Sequence, residues 1–458
     1  MDLGYKNKNG WADADHSAVF DFAEGYKEFL NSGKSEREIV KEALRIAKNE
    51  GFVDITEKDE LLPGDKIYSV NRNKGLMLAV MGKEPLRKGF NLVGAHVDSP
   101  RLDLKPNPLL EESGQALMKT HYYGGIKKYQ WTTIPLMLTG VVIKKDGTKI
   151  DVSVGKDTDD FCFTISDILP HLAGDQMGRN LGNAIGGEDL TVLVGGIPLV
   201  EGDSQSVKKA ILTILHDDYN IDEEEFLTAE LEFTPAFPAK DVGFDKSFVG
   251  AYAQDDRVCA YAALQAILDI NSPDKTAICL LVDKEEVGSM GVTGMKSKYF
   301  ENMIADMIDM SDEYSELFVR HAFSNATCLS ADVCAAFDPN FPSPFEKQNT
   351  PYAGCGISFM KYTGSRGKGG SSDATAELFA SIVKIMDDNK ICWQTGELGK
   401  VDGGGGGTIA QYTANLNMDT IDAGVPVLSM HSPFEVVSKL DLYESYRAYR
   451  AFYQSNSK

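Results

Sequence analysis

Histidine and carboxylate side chains stand where apolar runs of the sequence end. The run 90–98 (FNLVGAHVD) is typical of a buried strand, and it closes on His96 and Asp98. At a spacing of two, these side chains share one side of an extended chain. An imidazole that binds a metal is commonly oriented by a neighbouring carboxylate. The pair is therefore a candidate metal ligand with its orienting group.

Adjacent carboxylates occur at two further boundaries. Asp255 and Asp256 precede a predicted helix, and Glu285 and Glu286 follow the predicted strand 276–283 (TAICLLVD). Neighbouring side chains in an extended segment point apart. One glutamate can therefore bind a metal while the other faces a water molecule.

Two more candidate ligands end predicted strands. Asp332 ends 327–332 (TCLSAD), and His431 ends 425–431 (VPVLSMH), four residues before Glu435. In open α/β sheets, binding sites form at the carboxyl ends of the strands. We therefore expect these side chains to converge on one site.

The combined set has the chemistry of a site for two divalent metal ions. Buried carboxylates are costly without cations, and three carboxylates with two neutral histidines would offset most of the charge of such a pair. Mixed nitrogen and oxygen ligation suits zinc, with cobalt or manganese as alternatives. Divalent ions polarise a carbonyl group and lower the pKa of bound water. The set therefore favours metal-assisted hydrolysis.

The elements that position these residues alternate between helix and strand after residue 250. This alternation predicts an α/β fold with a mostly parallel central sheet that is covered on both faces. The segment 105–248 contains many short β-like runs between charged turns, and it predicts a β-rich inserted domain. We expect 1–104 and 249–458 to form one discontinuous domain around it.

The composition limits the classes of function. The 458 residues are 43% hydrophobic, which is enough for a large buried core. Asp and Glu (68) exceed Lys and Arg (46), and the formal net charge of −22 disfavours nucleic acid and anionic membranes as partners. Because no apolar signal segment or membrane-spanning run is visible and the seven cysteines form no CxxC pair, we expect a cytoplasmic protein with reduced thiols.

Five blocks of the sequence resemble the signatures of the aspartyl aminopeptidase/aminopeptidase I family of dinuclear zinc metallopeptidases, in its bacterial branch. They are GAHVDSPRLDLKP, AQDDRVCAYAAL, DKEEVGS, SADVCAAFDPN and MHSPFE, and they occur in the family's order over almost the whole chain. The resemblance implies a zinc-hydrolase α/β catalytic domain interrupted by a dimerisation domain. It also implies peptide substrates and dimers that assemble into a tetrahedral dodecamer.

The resemblance assigns roles by position. Asp255 would bridge both metal ions and precede a cis peptide bond. Glu285 matches the general base, and Asp98 matches the carboxylate that orients the first histidine ligand. The implied metal ligands are His96, Asp255, Glu286, Asp332 and His431.

Substrate contacts are implied less specifically. In some members of the family, a histidine from a neighbouring subunit completes the active site, and His171 matches it, with His121 as the second candidate. Lys361 falls where the family has a substrate-site lysine. However, the stretch 361–375 and the residues that follow Trp131 depart from the family pattern. The sequence therefore leaves open whether acidic or neutral N-terminal residues are preferred.

Three functions remain to be distinguished. The leading hypothesis is a metallo-aminopeptidase in which Glu285 takes a proton from water and passes it to the leaving amine. The second is another amidohydrolase on the same scaffold, such as a carboxypeptidase or an N-acyl deacylase. The third is a structural assembly with a vestigial metal site, which the complete ligand set argues against. A requirement for a free N-terminus separates the first from the second.

Overall fold

The computed structural model describes residues 7–156 and 158–455. Among these residues, no helix combines the length and the apolar character that crossing a bilayer requires. All seven cysteines are free thiols, five of them buried, with Cys162 exposed and Cys392 half-buried. Cys162 and Cys392 are therefore not core residues.

The chain forms two compact units. The first unit contains the chain up to Asp98, Ala239–Met430, and the chain from Phe434 onward. The second unit contains Ser99–Pro238 and His431–Pro433. The first unit is thus formed by separate segments of the chain, and most of the second unit is one continuous segment inserted between them.

The boundaries of the second unit differ from the predicted 105–248. Arg101–Glu112 is a strand of the second unit's sheet, so that unit starts earlier than the prediction. Lys240–Val242 and Phe248–Ala251 pair with each other in a sheet of the first unit, so the second unit also ends earlier. Strand pairing therefore sets both boundaries.

Within the described residues, the first unit has a nine-stranded central sheet. Five of its eight neighbouring pairs are parallel and three are antiparallel. The four strands from Thr276–Val282 to Asp419–Gly424 all run in the same direction. This mixed α/β architecture confirms the predicted class. In their order across the sheet, the strands are Val53–Asp54, Lys66–Asn71, Gly75–Val80, Thr276–Val282, Phe90–His96, Thr327–Ser330, Asp419–Gly424, Ile357–Met360 and Trp393–Thr395.

Hydrophobic cores lie on both faces of this sheet. Because successive side chains of a strand point to opposite faces, Met77 and Leu78 enter two different cores. The core that contains Leu78 also includes helix Gln254–Leu268, and the core that contains Met77 includes helix Tyr299–Ser311. The helices described in this unit are His16–Ser32, Glu36–Asn49, Gln254–Leu268, Tyr299–Ser311, Glu316–Ser324, Ala376–Asp388, Ala410–Asn415 and Lys439–Tyr453.

The predicted strand 425–431 does not belong to the central sheet. The position beside Thr327–Ser330 is taken by Asp419–Gly424, whereas Pro426–Leu428 lies in a separate sheet. That five-stranded sheet contains, in order, Lys240–Val242, Phe248–Ala251, Glu435–Ser438, Pro426–Leu428 and Cys334–Ala335, and a two-stranded sheet pairs Gly364–Ser365 with Gly405–Gly406.

The strand Asp419–Gly424 is polar in sequence yet buried. Thr420 contacts Thr413 at 3.1 Å between hydroxyl oxygens. The Thr408 hydroxyl donates to Asp422 at 2.5 Å. These contacts partner Thr420 and one carboxylate oxygen of Asp422, whereas Asp422 Oδ2 is buried without a donor among the described residues. Because the strand is buried despite its polar side chains, hydropathy alone does not reveal it.

The second unit is built on a six-stranded antiparallel sheet within the described residues. Two helices accompany it, Gly174–Met177 and Ser206–Tyr219. The unit is thus rich in β-structure. In their order across the sheet, the strands are Lys149–Val154, Leu136–Ile143, Ala229–Pro235, Arg101–Glu112, Gln115–Tyr123 and Thr191–Gly195.

Candidate metal centre

His96 is the last residue of the central strand Phe90–His96, and its ring is buried. Nδ1 donates to the carbonyl oxygen of Asp98 at 2.9 Å and lies 3.4 Å from its carboxylate. Because a carbonyl oxygen only accepts, Nδ1 carries a hydrogen, and Nε2 is the ring nitrogen left for other partners. Nε2 lies 3.2 Å from Asp255 Oδ1 and 3.9 Å from Asp332 Oδ1. The imidazole is thus oriented with its basic nitrogen toward two carboxylates.

The Asp98 carboxylate has a further role that the sequence did not indicate. It is completely buried, and it accepts the backbone amide of Glu285 at 3.1 Å and that of Glu286 at 3.2 Å. The two glutamates lie in the short 3₁₀ turn Glu285–Val287, which follows the strand Thr276–Val282. One aspartate therefore fixes both the histidine and the glutamate pair.

Asp255 and Asp256 lie at the start of helix Gln254–Leu268, where their backbone dihedral angles are not helical. The peptide bond between them is cis, as the resemblance implies. Asp256 Oδ2 accepts the backbone amide of His96 at 3.3 Å. The amide of Asp255 donates to Glu435 Oε2 at 3.0 Å. Both aspartates are thereby tied to neighbouring strands.

Two groups of side chains could each hold a metal ion, and they share His96. One contains His96, Asp256 and Asp332, and the other His96, Asp255 and Glu286; within each group the ligand atoms lie within 4.8 Å of one another. Four of the five predicted ligands are thus close together. Asp256 is an addition, because sequence reasoning assigned a role only to the first member of the Asp-Asp pair.

The donor set fits zinc on chemical grounds. It combines an imidazole nitrogen with carboxylate oxygens, and Asp256 Oδ1 is buried without a hydrogen-bond donor among the described residues. Burial raises the pKa of the Asp256 and Asp332 carboxyls well above the usual range, and for Asp332 the charge of Asp256 adds to this effect. For His96, burial alone would lower the pKa, but hydrogen bonds to Asp255 and Asp98 raise it well above the usual value. Divalent cations would stabilise these crowded carboxylates in their charged form.

The remaining predicted site residues lie elsewhere. His431 lies in a turn with φ of 63°, its Nδ1 lies 2.8 Å from the carbonyl oxygen of Gly125, and it belongs to neither ligand group. His171 is exposed on the second unit. Lys361 lies 2.7 Å from Asp373, a carboxylate that Lys368 also contacts at 2.9 Å. Their roles stay predictions.

His121, the second candidate from the inserted unit, is exposed near the end of strand Gln115–Tyr123. Its Nδ1 lies 2.9 Å from the carbonyl oxygen of Tyr122. This local contact gives no support for a role in substrate binding.

Histidine and carboxylates at the carboxyl ends of parallel strands, in a donor set suited to zinc, define a metal-dependent hydrolase. The aminopeptidase I zinc metalloprotease (M18) family model matches residues 29–453. The chain therefore belongs to the M18 family of zinc aminopeptidases, which are peptide hydrolases that release N-terminal residues. This confirms the resemblance and the predicted enzyme class.

Individual relatives agree with this assignment. The probable M18 family aminopeptidase 1 of Clostridium acetobutylicum is 51% identical and aligns over 98% of this chain and 99% of its own. The crystal structure of an M18 aminopeptidase from Thermotoga maritima has a TM-score of 0.95 at 43% identity, covering 98% of this chain and 100% of that chain. The Saccharomyces cerevisiae mApe1 dodecamer shares the fold, with a TM-score of 0.77 at 20% identity over 94% of this chain and 96% of that chain.

Proposed function

We propose that this chain hydrolyses N-terminal peptide bonds at a centre for two zinc ions per subunit. The ligands are His96, Asp255, Glu286, Asp332 and His431. The observation that supports the proposal is the pair of ligand groups that share His96. Each group supplies nitrogen and carboxylate donors, and His431 joins them through its place in the MHSPFE block.

Glu285 acts as the general base in this proposal. Zinc ions held by these residues would polarise the scissile carbonyl and lower the pKa of a nearby water molecule. The Glu285 carboxylate takes the proton from that water and delivers it to the leaving amine. Asp98 supports this step because it holds the amides of both turn glutamates and thereby fixes the base relative to the ligand Glu286.

The test combines metal content with a panel of small substrates. Protein stripped with a chelator should lose hydrolysis of aminoacyl amides, and zinc should restore it with two ions bound per chain. Parallel reconstitution with cobalt and with manganese shows whether either metal also restores hydrolysis. N-acetylated amides should resist, because an aminopeptidase acts on a free N-terminus. One zinc per fully active chain would contradict the dinuclear centre, and turnover of N-acetylated amides would favour a deacylase.

We further propose that the second unit pairs subunits into dimers that assemble into a dodecamer. Its surface exposes apolar side chains that water disfavours, among them Leu172 (69% exposed), Met177 (74%) and Ile197 (83%). His171 lies directly beside Leu172, so a partner that covers this surface would also reach the histidine. The seven free thiols support the cytoplasmic location that the sequence predicts.

A further inference from the structure

Glu435 is a buried carboxylate next to the proposed metal ligands. It begins the strand Glu435–Ser438, pairs with Ala251 on the neighbouring strand, and is 1% exposed. Its Oε2 accepts the backbone amide of Asp255 at 3.0 Å. A charged acceptor makes this a stronger hydrogen bond than a neutral one.

A second contact joins the same two segments. The side chain of Gln254 donates to the backbone carbonyl of Glu435 at 2.6 Å and to that of Val249 at 3.1 Å. Tyr26 in turn donates to Gln254 Oε1 at 3.3 Å. Residues 254–255 are therefore held to the start of one strand by two hydrogen bonds, and Glu435 accepts both of them.

The position of these two hydrogen bonds matters because the backbone of Asp255 is not helical, although it lies in the first turn of a helix. Without intrahelical bonding, its amide depends on an acceptor from another element. Glu435 supplies that acceptor from inside the first unit. A displacement of the Asp255 backbone would carry its carboxylate away from His96 Nε2, which is 3.2 Å away.

We propose that Glu435 is a positioning residue that holds the Asp255 carboxylate in place between the two metal ions. The proposal rests on the proposed bridging role of Asp255. Glu435 itself is not a member of either ligand group. Glu435 acts through the backbone amide of Asp255. Its effect on zinc binding should therefore depend on an acceptor atom at hydrogen-bond distance from that amide.

Three substitutions test this role. Glu435→Met removes the acceptor at similar length, and Glu435→Asp withdraws it by one methylene. Both should weaken zinc affinity by about 10- to 100-fold, as changes behind metal ligands typically do. Glu435→Gln retains an acceptor oxygen and should recover most of the lost affinity. The readouts are zinc affinity by competition with a chromogenic chelator, the visible absorption of the cobalt-substituted protein, and kcat separately from KM.

Glu444 provides a matched control. It is 3% exposed, and its carboxylate accepts the amide of Cys392 at 2.7 Å, in a helix that contributes to neither ligand group. Glu444→Met, which removes the acceptor in the same way as Glu435→Met, should change thermal stability without changing zinc affinity. Equal zinc loss from the Glu444 and Glu435 variants would overturn the proposal, because it would show that losing any buried carboxylate weakens zinc binding.

The failure of this proposal can be told apart from failure of the proposed centre. Asp255→Ala should lose zinc from both sites, and if it keeps two ions, the bridging role itself is wrong. If Asp255→Ala loses zinc while folded Glu435→Asp binds it as the unmodified protein does, only the role of Glu435 is overturned. Glu435→Asp keeps this comparison possible should Glu435→Met not fold.

Discussion

Two adjacent glutamates share one anchor in this site, yet we assign them different tasks. Glu285→Gln removes the proton acceptor but keeps the backbone amide that Asp98 holds. We therefore expect activity to fall by roughly 100-fold or more with zinc content unchanged. Glu286→Gln should instead reduce zinc content, because a ligand is lost. Activity and elemental analysis on the two purified variants provide the check.

The pair also contains its own control. Both substitutions remove one charge from the same half-buried turn, so a general effect of charge would change both variants alike. If Glu285→Gln were to lose zinc while Glu286→Gln kept it, the two assignments would have to be exchanged.

Much of the site could be predicted from single residues, because its ligands end apolar runs. His96 and Asp332 were placed in this way, and the structure puts Asp332 in one candidate group around His96 and Glu286 in the other. The second role of Asp98 could not be predicted, since its contacts to the glutamate amides join segments 187 and 188 residues apart. The same holds for Glu435, which contacts Asp255 from 180 residues away.

At the level of elements, the strand Asp419–Gly424 packs at very short range against Asp332, one of the proposed metal ligands. A Cβ atom at Gly424 would lie 1.7 Å from the backbone oxygen of Asp332. Gly424→Ala must therefore displace one of the two segments. We expect a loss of stability of about 1–3 kcal/mol or more, together with weaker zinc binding, measured by thermal unfolding and by chelator competition.

Gly406→Ala is the control for this substitution. A Cβ atom there would meet only Leu398 Cδ2 at 3.5 Å, an ordinary contact distance. This variant should bind zinc as the unmodified protein does. Unchanged zinc affinity in Gly424→Ala would show that Asp332 is not held by this strand, or that it is not a ligand.

A buried carboxyl group in the same strand, that of Asp422, should make the free energy of unfolding depend on pH. Burial raises the pKa of Asp422 from 3.8 to about 6, against the lowering effect of its hydrogen bonds with Thr408 and Ser330. The folded protein therefore binds this proton more tightly than the unfolded chain. The stabilising contribution is complete below about pH 4 and is lost as the pH rises through 6, to a total of about 3 kcal/mol. Denaturant unfolding between pH 4 and 7 should show the decline.

Asp422→Asn isolates this contribution. The amide does not titrate, so the difference in free energy of unfolding between Asp422→Asn and the unmodified protein should change across this range and level off above it. A constant difference would mean that Asp422 does not change its protonation on folding in this window.

The strands that sequence reasoning located are the continuous apolar ones, such as Phe90–His96 and Thr276–Val282. Asp419–Gly424 was not predicted because its Thr and Asp side chains make it polar, and the fold alone supplies Thr413 and Thr408 as partners for Thr420 and Asp422. The boundaries of the second unit were misplaced for a related reason. Strand pairing decides them, and a run of β-like residues does not reveal its partner.

For the whole molecule, the exposed His171 allows a test of a site shared between subunits. His171→Ala should lower turnover without releasing zinc, because the residue is outside both ligand groups. Excess zinc should not restore the activity. His216, also exposed on the second unit and bonded locally to Asp222 at 2.7 Å, serves as the control, and His216→Ala should keep full activity.

Mixed assemblies sharpen this test. A subunit with Glu285→Gln is inactive but retains His171, so it can donate that histidine to a His171→Ala partner. Assemblies shown by mass to contain both subunits should regain part of the activity. If such assemblies recover none, the active site is not shared between subunits.

The division of the chain also bears on the order in which the protein matures during synthesis. All six strands of the second unit's sheet lie between residues 101 and 235, so that sheet can close soon after those residues leave the ribosome. The strand Phe90–His96 must wait, because its neighbours Thr276–Val282 and Thr327–Ser330 are translated later. The inserted unit thus completes its sheet while His96 is still without the strands that flank it, and ligand assembly is among the last events of translation.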